Sequence, residues 1–571
     1  MMILRLFIIT FLAILFHLPA SAQSGENDPQ NSLLPDINPQ DIEIRSEFQA
    51  RFPGLRRQPI LGFNPKPRVF RIDPDRMPFM ESRDDAVAGI EVTNLDRPEP
   101  PVRNIFFTPD RMNAYVRAGL GTYLTPEIDA YGFTELGESS LISADMNFRS
   151  SDGHLENQES GFRFFDVQAL YRTKTSEKWQ SNLEVGVLSD EHHLLPLPSI
   201  DEMPEKNNLG ASAKATIKQI NNAFSGMDFV LGGSLFQSRH STERADYSYY
   251  NPGGEISETI YFGKFRKYWP GQRMYETFDI STSIEGGNYQ VNNADSENWM
   301  HVQGALEYER LLDFTTRIKG KGGIDYISDP YSDKFYFVPE VEVKHNINNN
   351  FSATANFFAK PELQSVQSHH QYNRFLNNRT QLRHSYNIGI HTEVAFKIIE
   401  GNSLYGGITY DHIRDYAYYQ RDEIFATDAF GLYDVNYGDA NILELYAGIS
   451  QQLVPEKFWF DAKLYGRNPS LKDGDKIPYE ERMGLEGSLS YKPFNKLTIS
   501  SWAEYVGPRE DPASADDLNA FALINGSAEF QINERFGVYA KVLNILGQKY
   551  EIWNGYQERP FQVFGGLTIK I

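Results

Sequence analysis

The 571-residue sequence contains no cysteine. Disulfide bonds, thiolate metal sites and lipid attachment at an N-terminal cysteine are therefore excluded. Beyond its first 18 residues the chain also lacks any run of 18 apolar residues, which excludes helical membrane spans. An excess of positive charge is absent too. The formal net charge of −21 argues against nucleic acid as a partner, because phosphates would be repelled.

The first 22 residues have the pattern of an export signal. A short basic start ends at Arg5, an apolar run extends from Leu6 to Leu18, and a small-x-small tripeptide ends at Ala22. The apolar run is shorter than the roughly 20 residues that a spanning helix needs. We therefore expect a signal peptide over 1–22 and export of the mature chain. A retained anchor helix is the less favoured alternative.

The composition is unusual for a soluble protein of this length. Aromatic residues reach 13%, with 32 Tyr and 39 Phe, and there are 43 Gly, yet the mean hydropathy is −0.48. Length alone would suggest three or four soluble domains. A membrane β-barrel explains the combination better, because only every second strand residue faces lipid.

Residues 23–104 differ from the rest of the chain. They hold 12 of the 30 prolines and include turn-rich fragments such as Pro65-Lys66-Pro67. This composition predicts an irregular segment that stays in the periplasm or enters a barrel lumen.

From about residue 105 to 571, segments of about ten residues alternate between apolar and polar positions. The last segment is the clearest, with one face formed by Phe561, Val563, Gly565, Leu567, Ile569 and Ile571 and the other by Gln562, Phe564, Gly566, Thr568 and Lys570. The same alternation extends over 386–398, 483–492 and 521–532. Successive side chains of a strand point to opposite faces, so one face can meet lipid and the other a watery interior. The pattern predicts an all-β fold, a large transmembrane antiparallel β-barrel.

The connections between these segments alternate in length. Tight links are predicted at 400–402, 453–457, 493–496 and 532–535, and long polar loops at 361–382, 413–440, 467–480, 507–518 and 546–560. Outer-membrane barrels have short periplasmic turns and long outside loops, so this sorting places the C-terminus in the periplasm. The pattern predicts 13 strands from about residue 297 onward and nine before it. The total is 22, or 20 if the pair near 256–265 and 272–287 is omitted.

The last 90 residues resemble the end of a TonB-dependent receptor barrel. The matching stretches are Met483 to Pro493, Leu497 to Ile499, Tyr505 to Arg509, Val542 to Tyr550 and Phe564 to Ile571; the start of the barrel, Tyr115 to Gly121, is similar to the family's early strands. The resemblance implies a solute receptor or transporter of the outer membrane. That family has a folded plug of about 130 residues before the barrel and an energy-coupling box, and residues 23–104 show no motif of either. The sequence therefore predicts a plugless or reduced relative, of the kind seen in Bacteroidetes-like bacteria.

No motif in the sequence indicates catalysis, a cofactor or a metal. The histidine pairs His192-His193 and His369-His370 are predicted in outside loops, where solvated side chains are favoured over a metal role. His391 and Glu393 share a lumen face and could bind a ligand or a proton, although ordinary polar lining is the preferred interpretation.

Other short patterns have structural interpretations. Gly119-Leu120-Gly121 and Leu231-Gly232-Gly233 lie inside strand patterns and are poor phosphate loops. The acidic groups Asp190-Glu191 and Asp473-Gly474-Asp475 lack the spacing of a calcium loop and are interpreted as solvated charge. Aromatic residues beside the short turns (Phe458, Tyr491, Phe494, Phe530 and Phe536) predict an interfacial girdle, with carbohydrate stacking as the alternative.

These patterns leave three hypotheses about function. The first is a barrel of the outer membrane, surrounded by its lipid, that binds or transports a small solute through a lumen gated by long outside loops. The second is a docking or assembly barrel whose segment 23–104 binds a periplasmic protein. The third and weakest is an outer-membrane hydrolase, since no nucleophile and base stand out.

Overall fold

A computed structural model describes residues 113–571 of this chain. Its gaps within that range are 138, 156–159, 195–204, 220–225, 242–253, 272–275, 293, 400, 422–431, 455–456 and 513–516. The described residues form one sheet of 22 antiparallel strands and a short helix. The predicted signal peptide (1–22) and Pro-rich segment (23–104) lie outside the described residues and stay predictions.

The strands are numbered in chain order. Their bounds are β1 Ala114–Gly121, β2 Thr125–Glu135, β3 Ser140–Ser151, β4 Phe162–Ser176, β5 Trp179–His193, β6 Glu205–Gln219, β7 Gly226–Ser241, β8 Glu255–Pro270, β9 Thr277–Val291, β10 Glu297–Leu311, β11 Thr316–Asp329, β12 Ser332–Asn346, β13 Phe351–Glu362, β14 Ser385–Ile399, β15 Asn402–Arg421, β16 Tyr433–Val454, β17 Phe458–Leu471, β18 Met483–Phe494, β19 Leu497–Val506, β20 Phe521–Gln531, β21 Phe536–Leu543 and β22 Gln562–Lys570. The helix, α1, is Val366–Tyr372 and lies between β13 and β14.

Every strand pairs with its neighbours in sequence, and the first strand pairs with the last. The β1–β22 ladder runs from Tyr115 opposite Lys570 to Gly121 opposite Phe564. The sheet is therefore a closed barrel, which confirms the predicted fold and the count of 22 strands and excludes the count of 20. Closure matters because a sheet edge exposed to lipid would leave backbone N–H and C=O groups without partners.

The two faces of the strands divide as the alternation predicts. On β22, Val563 and Leu567 are 39% and 58% exposed, whereas Gln562 and Thr568 are at most 1% exposed. The predicted outward residues of β14, β18 and β20 are likewise exposed, among them Ile390, Val394, Met483, Leu485 and Ile524. The apolar side of the barrel wall thus faces outward, as it must in a bilayer, and the polar side lines the lumen.

The two ends of the barrel differ in their connections. At the inner end, where β1 begins and β22 ends, the links β14–β15, β16–β17, β18–β19 and β20–β21 are as short as predicted. The outer end has the long connections 363–384, 472–482, 507–520 and 544–561.

One predicted loop is wrong in extent. Residues 413–440 are in large part strand, because β15 continues to Arg421 and β16 begins at Tyr433. These two strands have 20 and 22 residues, more than the roughly 9–11 needed to span a bilayer. Their ends therefore project beyond the lipid, where the outward face no longer has to be apolar, and the alternation that signals a strand is lost.

The aromatic residues near the short turns lie where a girdle is expected. Tyr491, Phe494, Phe530 and Phe536 are exposed at the inner end of the barrel. Phe458 is half-buried, with its ring 5.8 Å from the ring of Tyr491. These positions suit the headgroup level of a membrane, which amphipathic rings favour. Among the described residues, no helix has the length and apolar character needed to span a membrane.

Side chains inside the lumen reinforce the β1–β22 junction. Glu127 of β2 is buried and accepts hydrogen bonds from Tyr539 (2.6 Å) and Lys541, both on β21. These hydrogen bonds therefore join β2 and β21, the two strands that flank the β1–β22 junction. Gly119 of β1 is required here, because a Cβ at this position would lie 2.0 Å from the Tyr539 hydroxyl.

Substituting Glu127→Gln should destabilise the barrel. The change keeps the side-chain size but leaves the ammonium of Lys541 buried without its carboxylate, which costs about 3 kcal/mol. The free energy of unfolding, measured by urea titration in lipid vesicles, is expected to fall by that amount. Glu135→Gln, at an exposed position of the same strand, is the control and should change it little. An equal loss in both variants would contradict a role of Glu127 in closure.

Candidate functional site

The connection between β13 and β14, residues 363–384, is the most unusual part of the outer end, and we call it the cap. It contains helix α1, which begins with a capping box. Ser368 N–H donates to the Ser365 hydroxyl at 2.9 Å, and Ser365 N–H donates to the Ser368 hydroxyl at 3.0 Å. These two bonds satisfy N–H groups that a helix start would otherwise leave open. They fix α1 within an otherwise irregular loop.

A buried lysine of the barrel wall holds the C-terminal side of α1. Lys206, near the start of β6, is fully buried. Its ammonium donates to the carbonyl oxygens of Arg374 (2.8 Å) and Leu376 (2.7 Å), and it lies 2.9 Å from Nδ1 of His370. The three N–H groups of the ammonium thus have three acceptors, which is what an isolated buried charge requires. All three acceptors belong to the cap.

A buried glutamate of the wall holds the N-terminal side of the same helix. The Glu258 carboxylate, on β8, accepts the backbone N–H of Gln367 at 3.1 Å and also that of Val366. Both N–H groups lie in the first turn of α1, where the helix has no acceptor of its own. An anion at the helix start and a cation near its end match the helix dipole. We call Lys206 and Glu258 together the clamp.

The strand between these two wall strands also binds the cap. Asn378 is fully buried and donates to the carbonyl oxygen of Ser238 on β7 at 2.9 Å and to that of Gly254 at 3.1 Å. The Ser238 hydroxyl donates back to the Asn378 side-chain oxygen at 3.1 Å. Three adjacent strands, β6 to β8, therefore form one docking surface for the cap.

The opposite side of the cap is bonded to β15 and β16. Nδ1 of His369 lies 3.0 Å from the hydroxyl of Tyr419, and Nε2 lies 3.2 Å from that of Tyr437. The backbone of Tyr433 exchanges hydrogen bonds with Phe375 and Asn377, at 3.0 and 2.9 Å. Six strands, β9 to β14, separate β8 from β15 in the sheet. Contacts with both groups are possible only if the cap crosses the mouth of the barrel.

A second long connection, residues 544–561, closes over the cap. Tyr556 stacks on Phe375 with ring centroids 3.4 Å apart, and Trp553 packs edge-on against Tyr433 at 5.1 Å. Together they form a buried cluster of Leu194, Phe375, Leu376, Tyr419, Leu432, Tyr433, Tyr479, Trp553 and Tyr556. Aromatic pairs of this kind contribute about 0.5–1.5 kcal/mol each beyond the burial of their surface. The cap is thus a packed layer with its own core.

The predictions for the histidine pairs are wrong about the burial of three of the four residues and about the location of His192 and His193, which end strand β5. His369 and His370 do lie in the long connection, but on α1 and buried rather than solvated. His192 is also buried, at the end of β5, and its Nε2 lies 3.0 Å from the carbonyl oxygen of Arg374. Sequence alone could not show this, because the loop is polar and its partners are distant in the chain. Among the described residues, no group of three His, Asp or Glu is placed to hold a metal ion.

The other residues singled out in the sequence are distributed along the wall. His391 and Glu393 both face the lumen, but they are engaged separately: His391 lies 3.1 Å from the Asp411 carboxylate, and Glu393 accepts from Tyr446 at 2.9 Å. Asp190 is in β5 rather than in a loop, and its carboxylate accepts from Asn208 at 3.3 Å.

The remaining sequence patterns also have places in the structure. Glu191 is likewise in β5 and pairs with Arg163 at 3.3 Å, so the predicted loop location is wrong for this acidic pair. Asp473 to Asp475 form an exposed turn, as predicted. The two glycine patterns lie in β1 and β7.

The lumen wall below the cap is polar and carries both signs of charge. Near the outer end, Arg467 pairs with Glu444, Glu480 and Glu481 at 3.1 to 3.3 Å. Burial, followed by the charge of Glu481, raises the pKa of Glu480 above its usual range. At the inner end a cavity of about 900 Å³ opens among lumen-facing side chains that include Lys397 and Gln452. The interior thus offers polar contacts and space at the end opposite the cap.

No family model matches this chain. Several solved structures share its fold. The ferric-catecholate import receptor Fiu of E. coli K12 superposes with a TM-score of 0.61 at 10% identity, over 81% of this chain and 82% of that one. The ferric enterobactin receptor of Pseudomonas aeruginosa gives 0.64 at 10%, over 80% of both chains. The FrpB iron transporter of Neisseria meningitidis gives 0.64 at 10%, over 81% and 82%. The 22-stranded barrel is therefore the fold of the TonB-dependent outer-membrane receptors, as the C-terminal residues suggested.

Substituting Lys206→Met should open the cap. The change leaves three buried acceptors without a donor, which weakens closure by roughly 3 kcal/mol, about a hundredfold in the opening equilibrium. Limited trypsin digestion, followed by mass spectrometry, should then detect new cleavage after Arg374, Arg379 or Arg383.

The control is Lys214→Met on the same strand. Lys214 pairs with Glu184 at 3.0 Å and makes no bond with the cap. This variant should digest like the unmodified protein. Protection of the three arginines in the Lys206 variant would show that the clamp does not hold the cap closed.

Proposed function

We propose that this protein is an outer-membrane barrel that takes up a small solute, and that the cap controls entry at the outer mouth. The observation that carries the proposal is the cap itself, which crosses the opening of a closed 22-stranded barrel and is bonded to both sides of it. A barrel that served only as a membrane anchor would have no need of a closed mouth above a polar interior.

The structural neighbours support solute uptake. By their names, one imports ferric catecholates, one is a receptor for ferric enterobactin, one transports iron, and another of the same fold, at a TM-score of 0.62 and 11% identity, transports copper. These solutes differ in size and charge, and the shared fold alone does not select among them. We therefore propose uptake of a small polar solute, without assigning one.

The interior chemistry agrees with a polar solute. The wall beneath the cap presents amide, hydroxyl and charged groups that are bonded to one another rather than to the backbone, as in the His391–Asp411 and Glu393–Tyr446 contacts. Such groups can exchange a wall partner for a solute at small cost, because one hydrogen bond replaces another. No nucleophile and base pair stands out among the described lumen residues, so we propose a transporter and not an enzyme.

The location and the partners follow from the same proposal. The apolar outward face places the barrel in the outer membrane, with the long connections outside and the short ones in the periplasm. Residues 23–104 precede β1 in the chain, and β1 begins at the inner end of the barrel. We propose that this segment contacts a periplasmic protein or enters the lumen from below.

Removing the cap should raise ion conductance. We expect a variant in which residues 364–383 are replaced by a short Gly-Ser linker to show several-fold higher single-channel conductance in planar bilayers than the unmodified protein. The physical reason is that the cap fills the mouth through which ions would pass. Replacing the exposed turn 473–475 by three glycines is the control and should leave conductance unchanged.

The opposite result would favour the docking hypothesis. If the cap-deleted barrel stays silent and the full chain co-purifies with a periplasmic protein that is lost on removal of residues 23–104, the barrel is an assembly platform. If both variants conduct alike, the mouth is closed by something other than the cap, and its role in entry is disproved.

A further inference from the structure

His370 occupies the point where the clamp meets the cap. Its Nδ1 lies 2.9 Å from Nζ of Lys206. We assign Nδ1 as the acceptor of an ammonium N–H, which requires that this nitrogen carries no proton while the cap is closed. The other ring nitrogen, Nε2, is buried and has no hydrogen-bond partner among the described residues. The ring packs against Phe236 on β7, with centroids 5.6 Å apart. The closed cap therefore contains a neutral histidine whose basic nitrogen is essential to the contact.

Charged and titratable groups face His370 from every element around it. They are Lys206 on β6, His192 and Asp190 on β5, His240 on β7, Glu258 on β8, and His369 and Arg374 on the cap. The nearest is the Lys206 ammonium, and Asp190 is engaged with Asn208. Glu258 bonds α1, and burial raises its pKa to about 7, so this group takes up a proton in the closed cap and offsets part of an acid response. Burial and then the charge of Lys206 hold the pKa of His370 well below its ordinary value. A proton on Nδ1 would remove the acceptor and place two cations in contact.

Two further histidines of the cap are buried in the neutral form. Burial lowers the pKa of His369 to about 3 and that of His384 to about 4. A base with a lowered pKa in the closed state takes up its proton only when the cap opens. The closure that these histidines support is therefore complete above their ordinary pKa of about 6.5 and is lost as the pH falls below it.

We propose that the cap is an acid-released gate, in which protonation of His370 breaks its contact with Lys206 and frees α1 from the barrel wall. The trigger is a proton, and the moving part is the segment 363–384 between two fixed strands. The passage of a solute through the opened mouth depends on the proposed function, whereas the release of the cap by acid does not. The two claims can therefore fail separately.

Hydrogen–deuterium exchange tests the release. The full chain in lipid nanodiscs is labelled at about pH 7.5 and about pH 5, and exchange in peptides covering 363–384 is divided by the intrinsic rate at each pH. With an open-state pKa of about 6.5, each neutral histidine freed on opening raises the opening constant roughly 30-fold between these conditions. We expect corrected exchange of the cap to accelerate by at least that factor, while the strands of the barrel show no such change.

The substitution His370→Asn isolates the trigger. The Asn side-chain oxygen can replace Nδ1 as an acceptor for Lys206 but cannot titrate in this range. The acid response of this variant should be about 30-fold smaller than that of the unmodified protein. The triple variant at positions 369, 370 and 384 should lose the acid acceleration that these three histidines supply and keep only the effects of His192, His240 and Glu258 on the wall. The matched control is His345→Asn at the exposed inner end, where Nδ1 contacts the Thr316 hydroxyl at 2.9 Å; its response should be unchanged.

Two results would overturn the gate. One is a cap whose corrected exchange in the unmodified protein is the same at both pH values. The other is a His370→Asn variant that responds to acid as strongly as the unmodified protein. If that variant does not fold, Lys206→Met supplies the same information, because it should exchange rapidly at both pH values and show a reduced response. Acid-accelerated exchange without any solute flux would leave the gate intact and disprove the proposed transport.

Discussion

The structure depends first on the pairing of β1 with β22. In lipid, a backbone N–H or C=O without a partner costs several kcal/mol, so a sheet in a membrane has to close on itself. The lipid then dictates the division of side chains: within the membrane the outward face must be largely apolar, and charged groups are directed into the lumen. Glu127 and the β21 side chains that it binds belong to this inward set, and they join the strands on either side of the junction. The same division supplies the polar wall on which the cap is built.

The cap is a consequence of that polar wall. A fully buried ammonium is tolerated at Lys206 only because three acceptors converge on it, and a buried carboxylate at Glu258 only because a helix start points at it. Neither residue could occupy the lipid face. The cap thus supplies hydrogen-bond partners for two polar groups that the wall buries. In return, these groups bind backbone N–H and C=O groups that a short helix leaves without partners.

Much of the fold could be predicted from the sequence, whereas the site could not. Period-two alternation predicts the strands and their faces, as at β22, because the polarity of successive side chains follows the environment of the face on which each one lies. It failed over 413–440, where β15 and β16 leave the lipid and the outward face is free to be polar. The clamp brings together Lys206 and Leu376, which are 170 positions apart in the chain, so no local pattern can show that a lysine at one strand end meets a carbonyl in another loop. The sequence predicts His369 and His370 in solvent, since their burial is decided by those distant contacts, and it gives no signal for His384.

The tethering of the cap has a further consequence. Both of its ends continue into neighbouring strands, β13 and β14, which are bonded along their whole length. The segment can therefore swing away but cannot diffuse from the mouth, and it rebinds in a unimolecular step. Its effective concentration at the docking surface is fixed by the chain and not by how much protein the membrane holds. A cap held in this way can bind the docking surface through individually weak contacts and still be closed most of the time.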